Sequence, residues 1–162
     1  MKNDSETTKR VTTLCTVLKD DQILLGLKKK GFGKGKWNGF GGKVEKGESV
    51  YEAAKRELEE EICIKARDMT KRGIIIFDGM DEEIIEVHFF SLTKFEGTPT
   101  ETNEMKPKWF NLSDIPDNKM WLGDQYWLPM LLEGKNFIGI FYFDGPDKLI
   151  DYKLEEIIDK AS

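Results

Sequence analysis

The sequence predicts an α+β fold in which a mixed β-sheet lies between helices. Three observations lead there. Apolar, β-branched runs come in pairs split by turn residues, only two segments read as helix, and those helices fall among the strands rather than after them. Val11 to Leu18 and Gln22 to Leu27 read as strands around the turn Lys19-Asp20-Asp21. A glycine-rich loop follows. Ser49 to Ile62 reads as helix, with Gly47-Glu48-Ser49 as its start. Gly73 to Phe77 and Ile84 to Leu92 are again apolar and β-branched, and Asp78-Gly79 opens the turn between them. Lys108 to Phe110 adds a short strand. Asp124 to Leu132 reads as a second helix, which Pro129 is expected to kink or shift. Phe137 to Phe143 is an aromatic-rich strand, Asp144-Gly145-Pro146-Asp147 a turn, and Leu149 to Leu154 a last strand.

A length of 162 residues with 39% hydrophobic content suits one domain, expected over 11–158, after a flexible polar tail at 1–10. The net charge of −5 argues against a protein that coats nucleic acid or lies on a membrane surface. Cys15 and Cys63 form no C-x-x-C pair and no disulfide framework, which points to a reducing compartment. No apolar run is long enough to span a bilayer, and the opening MKNDSETTKR lacks a hydrophobic signal segment, so a cytoplasmic protein is expected.

The most informative segment is GKVEKGESVYEAAKRELEEEICI, from Gly42 to Ile64. A helix turns by roughly 100° per residue, so positions three and four apart share a face. Glu57, Glu60 and Glu61 therefore point one way, while Glu59 points elsewhere. Carboxylates crowded on one face repel each other, and hard divalent cations such as Mg²⁺ take oxygen ligands completed by water and phosphate. A solvated acidic face is the simplest reading of a charge run alone. Two neighbours favour a metal–polyphosphate site instead. Glycines at 31, 33, 35, 39, 41 and 42 let backbone approach a ligand, and lysines at 28, 29, 30, 34, 36 and 43 offer cations for phosphates.

Gly42, Glu48, Arg56, Glu57, Leu58, Glu60, Glu61 and Ile64 fit the pattern G-x5-E-x7-R-E-U-x-E-E-x-G-U, where U is bulky and aliphatic. In this the chain resembles the Nudix hydrolases. Cys63 replaces the glycine that ends the pattern, a residue suited to a left-handed helix cap. The similarity runs from about Thr12 to Ile157. Through LLGLKKKGFGKGKWNGFGGKVEKGE, NEMKPKWF, MWLGDQYWLPMLL and FDGPDKLIDYKLEEI it reaches members that act on oxidised purine nucleoside triphosphates.

The resemblance implies an α/β/α sandwich and hydrolysis of substrates such as 8-oxo-dGTP and 2-hydroxy-dATP to the monophosphate and pyrophosphate. Mg²⁺ is the implied cofactor, with Mn²⁺ able to substitute. The implied partners are purine nucleoside triphosphates, with no nucleic acid polymer and no membrane, and the implied state is a monomer. Glu57, Glu60 and Glu61 look like the family's metal ligands and catalytic acids, joined by the Gly41 carbonyl and Glu104. Arg56 is implied to hold a neighbouring carboxylate, Glu48, by a bidentate pair. Trp121 is implied to stack on the purine and Asn38 to read its edge. Thr13, Lys28, Phe32, Phe77 and Trp127 line the same pocket by resemblance. Where such members carry two adjacent aspartates after the tryptophan, this chain has Gly123-Asp124. One carboxyl remains, with space expected beside it, so hydrolysis should persist with selectivity set by Asn38, Trp121 and Asp124. His88, the sole histidine, reads as a satisfied sheet residue, and Met69, Met80 and Met105 carry no functional signal. The competing readings are a Nudix hydrolase of another nucleoside diphosphate derivative and a non-catalytic nucleotide-binding Nudix domain.

Overall fold

The computed structural model describes residues 8–158. Residues 1–7 of the expected tail lie outside the described residues. The rest of that tail does not behave as one, because the first strand begins at Lys9.

The strands are β1 (Lys9–Lys19), β2 (Gln22–Lys28), β3 (Trp37–Asn38), β4 (Lys65–Ala66), β5 (Thr70–Asp78), β6 (Ile84–Leu92), β7 (Phe95–Glu96), β8 (Met105–Asn111), β9 (Asn136–Phe143) and β10 (Leu149–Ile157). The helices are α1 (Val50–Ile62) and α2 (Asp124–Leu132). The main sheet runs β10-β9-β5-β6-β1-β2-β3, with β8 also paired to β2. It is mixed, since β1 pairs parallel with β6 and β5 parallel with β9 while the other neighbours are antiparallel. A separate two-stranded ribbon joins β4 to β7.

Successive strand residues face opposite sides of a sheet, and this chain buries both. Cys15, Val17, Leu24 and Phe90 pack under Ala54, Leu58 and Ile62 of α1. Ile23, Leu25, Ile75, Phe77 and Phe89 pack under Trp127, Leu128 and Leu131 of α2. The result is a sheet between two helices. None of the described helices is long and apolar enough to cross a membrane.

α1 begins with a capping box, in which Ser49 accepts from the Glu52 N–H and the Glu52 carboxylate accepts from the Ser49 N–H. It ends at Cys63, whose φ of 64° and ψ of 33° place it in the left-handed region, with its N–H donating to the Glu59 carbonyl. The cysteine thus adopts the conformation expected of the missing glycine and keeps the helix end in place. α2 runs through Pro129 from Asp124 to Leu132.

β1 pairs with β2 only over Val17–Lys19, and the two strands then part. Beyond that point, isolated bridges from Thr12 to Lys43 and from Cys15 to Phe40 occupy the same edge of β1. This approach requires glycine, because a Cβ at Gly41 would lie 1.8 Å from the Thr13 carbonyl oxygen.

Candidate active site

A cavity of about 200 Å³ opens where β1 and β2 part. Thr12, Thr13 and Leu14 of β1, Lys28 of β2 and Asn38 of β3 line it, together with Gly41, Gly42 and Glu61 from the glycine-rich loop and α1. On the α2 side it is walled by Phe77, Trp121, Asp124 and Trp127, with Phe32 from the loop. The structure thus gathers Thr13, Lys28, Phe32, Asn38, Phe77, Trp121, Asp124 and Trp127 around one space that also reaches the acid-rich helix.

Trp121 and Asp124 form the aromatic and acidic part of that wall. The Phe32 ring lies 5.0 Å from Trp121, and the Lys36 ammonium sits 4.9 Å from a Trp121 ring centroid. Asp124 is 7% exposed. Its Oδ1 accepts from Trp127 Nε1 at 3.0 Å and its Oδ2 from the Trp121 backbone N–H at 3.3 Å. Burial pushes its carboxyl up to about 7, against the pull of those two hydrogen bonds and of Lys36.

Gly123, expected beside the base with open space, does not line the cavity. A Cβ there would face Phe141 at 3.1 Å and Phe77 at 3.6 Å, so aromatic rings already fill that direction.

At the other end, Glu61 is 4% exposed and its Oε1 accepts from the Gly41 N–H at 2.8 Å. Burial, then the charges of Glu57 and Glu104, push it up to about 8, while the Gly41 N–H and Lys28 oppose this. Glu57 is also raised, first by burial, with Glu60 and Glu104 adding repulsion. Its carboxylate lies under the backbone of Gly42, where a Cβ would come within 2.7 Å of it.

Arg56 gathers the acids at the surface side of this cluster. It makes a two-point contact with Glu48, Nε to Oε2 at 2.7 Å and Nη2 to Oε1 at 3.0 Å. Its Nη1 reaches Glu57 at 2.8 Å and Glu60 at 3.2 Å. Glu48 is held below the usual carboxylate range by the Arg56 hydrogen bond, and Arg56 is held above its ordinary value chiefly by Glu48. The three glutamates therefore differ: Glu61 lines the cavity, Glu57 lies beneath the Gly42 backbone and pairs with Arg56, and Glu60 pairs with Arg56 from a more exposed position.

Among the described residues, no three acidic, histidine or cysteine side chains close into a ready metal cage. The donor set nevertheless fits a hard cation. Glu57, Glu61 and Glu104 repel one another in a partly desolvated corner, and Mg²⁺ needs only one or two carboxylates when water and phosphate complete its shell.

Met80, Met105 and Arg10 also line the cavity, as do Ile85, Val87 and Phe89 on alternate positions of β6. Alternation in β6 is a signal for a shared face, but Met80 and Met105 had none. His88 stands on the opposite face of β6 from those residues. Its Nε2 contacts Glu86 at 2.7 Å, whereas its buried Nδ1 has no partner among the described residues, so within them it is only half satisfied.

A NUDIX domain model matches residues 8–131. The chain is 46% identical over 151 residues to the mouse "oxidized purine nucleoside triphosphate hydrolase", covering 93% of this chain and 97% of that protein. It is 44% identical over 153 residues to the zebrafish protein of the same name, covering 94% and 98%. A crystal structure of a mutator MutT protein from Bacillus halodurans superposes with a TM-score of 0.81 at 29% identity, covering 90% of this chain and 97% of that one. The chain belongs to the Nudix family.

Proposed function

We propose that this protein hydrolyses oxidised purine nucleoside triphosphates, such as 8-oxo-dGTP and 2-hydroxy-dATP, to the monophosphate and pyrophosphate. The observation that carries the reading is continuity. One cavity joins the Trp121–Asp124 wall to Glu61, Gly41 and Lys28, so a base held at one end would direct its phosphates toward the acid-rich helix at the other. The names of the mouse and zebrafish relatives support the substrate class.

In this reading Trp121 offers a flat face to the purine, while Asn38 and Asp124 offer donors and acceptors to its edge. Lys28 attracts the phosphate chain. Glu57, Glu60 and Glu61, with Glu104 and the Gly41 carbonyl, would hold Mg²⁺ or Mn²⁺. A divalent cation, when bound, supplies charge neutralisation at the phosphates and makes a water more acidic. Arg56 keeps Glu48, Glu57 and Glu60 in place. A cytoplasmic monomer acting on free nucleotides completes the proposal.

The test is pyrophosphate release from canonical and oxidised nucleotides, with and without Mg²⁺. Turnover should need the metal, favour oxidised purines, and fall by orders of magnitude in the Glu60→Gln/Glu61→Gln double variant. Wild-type turnover in that variant would refute the assigned chemistry. Binding without turnover would instead favour a non-catalytic domain.

A further inference from the structure

We propose that Arg10 is a positioning residue, which holds Met80 in the wall of the base cavity by clasping Asp81 and Glu83. The inference rests on the reading that this cavity takes a purine base.

Residues 79–83 join β5 to β6 and make no strand pairing of their own. They are held at both ends. On one side Gly79 sits at φ +88°, where a Cβ would lie 2.0 Å from the Phe143 carbonyl oxygen, and its carbonyl accepts from the Gly145 N–H at 3.0 Å. On the other, Arg10 Nη2 reaches Asp81 Oδ2 at 3.1 Å and Nη1 reaches Glu83 Oε1 at 3.6 Å. Thr8 adds two ties: its hydroxyl donates to Glu83 Oε2 at 3.0 Å and its carbonyl accepts from the Ile84 N–H at 3.0 Å. Met80 stands between these anchors. It is 7% exposed and lines the cavity beside Phe77 and Ile85, and Arg10 lines the same cavity.

Methionine is flexible and fills irregular gaps, so its place is set by the backbone that carries it. The aliphatic wall is fixed only while the turn is fixed. Arg10 sits in register with Ile85, so its guanidinium starts beside the turn it holds. A clasp that acts on the base end should alter base binding and leave the phosphate end alone.

The experiment compares wild type, R10Q, D81N and R10Q/D81N, with K9Q as control. Lys9 pairs with Glu86 and does not line the cavity. In R10Q, KM for 8-oxo-dGTP and Kd for its monophosphate should both rise about threefold to tenfold, as expected for a partly exposed ion-pair network that orders a loop. The inhibition constant of pyrophosphate should not change, kcat should hold, and the double variant should be no worse than R10Q. Hydrogen exchange tests the clasp without nucleotide: amides of 79–83 should exchange faster in R10Q than in wild type or K9Q. Equal exchange, an unchanged Kd in folded R10Q, or an equal loss of pyrophosphate binding would each overturn the proposal. A wild type that binds no purine nucleotide would overturn the substrate reading and, with it, the role given to Met80. Weakened binding in R10Q and in D81N but not in K9Q, with normal wild-type turnover, would support the clasp, whereas weakened binding in R10Q beside wild-type binding and exchange in D81N would overturn it, because Arg10 itself lines the cavity.

Discussion

Replacing Asp124 by asparagine should change how stability depends on pH. The carboxyl is buried and its pKa is raised to about 7, whereas an aspartate in an unfolded chain titrates near about 3.9. Between those values the folded protein holds a proton that the unfolded chain has lost. Stability therefore falls as pH rises through this window: the contribution is fully present below about pH 4 and gone above about pH 7. Each pKa unit corresponds to about 1.36 kcal/mol, so the window spans roughly 4 kcal/mol. For a domain of this size 1 kcal/mol moves Tm by about 2–4 °C, which makes the expected change roughly 10 °C. Asparagine stays neutral throughout and its oxygen still accepts one of the two N–H groups. Glu57 and Glu61, also raised by burial, slope the same way in both proteins and cancel in the difference. Thermal unfolding in metal-free buffers from pH 4 to 8 gives the comparison. The Tm of the asparagine variant should gain on wild type by roughly 10 °C across that range. Parallel Tm curves would show that this carboxyl does not titrate there, and the argument would fail.

Trp121→Ala should weaken nucleotide binding by about 1–3 kcal/mol, the range for base–aromatic stacking, as read by calorimetry. Because the ring is only half-buried and lies against Phe32 and the Gly33 backbone, Tm should move little, and global unfolding would instead mark Trp121 as core. Cys63→Gly should stabilise the fold. A non-glycine residue in the left-handed region costs roughly 1–2 kcal/mol, glycine's greater unfolded freedom takes back about 0.5–1, and a lowered Tm would contradict the strain read from φ 64°.

The sequence carried α1 nearly to the residue, because capping residues, an amphipathic stripe and the acid spacing all agree there. Long β-branched strands were legible for the same reason. The gaps lie where the partner is distant in the chain. Lys9 and Arg10 read as tail because they are polar, yet parallel pairing with Ile84 and Ile85 makes them strand. β3, β4 and β7 have only two residues each, too few for any period to show. β8 runs from Met105 to Asn111 through Pro107, and only Lys108 to Phe110, beyond that proline, was read as strand. Among the candidate site residues, Glu61 stood out by its charge and spacing, whereas Trp121 and Asp124 were named through the family resemblance. Met80 and Met105 were missed, since an apolar side chain carries no mark that separates a cavity wall from a core.

Gly123 shows what the cavity does with one carboxyl. Its missing side chain leaves no hole. Phe141, fully buried, meets that position, and its ring stacks 5.5 Å from Phe77 and 5.2 Å from Tyr152. A pair of close aspartates keeps a proton because like charges resist joint ionisation. Here a lone aspartate reaches a similar state by another route. Burial among aromatic rings disfavours the charge, and two N–H donors satisfy its oxygens without removing that penalty. Below about pH 7 Asp124 can therefore both donate and accept at a base edge, and above it only accept. In the proposed function the preference among purines then rests on desolvation of one group rather than on repulsion between two. Any change that lets water reach Asp124 should disturb base selection, even where every base-contacting residue is kept.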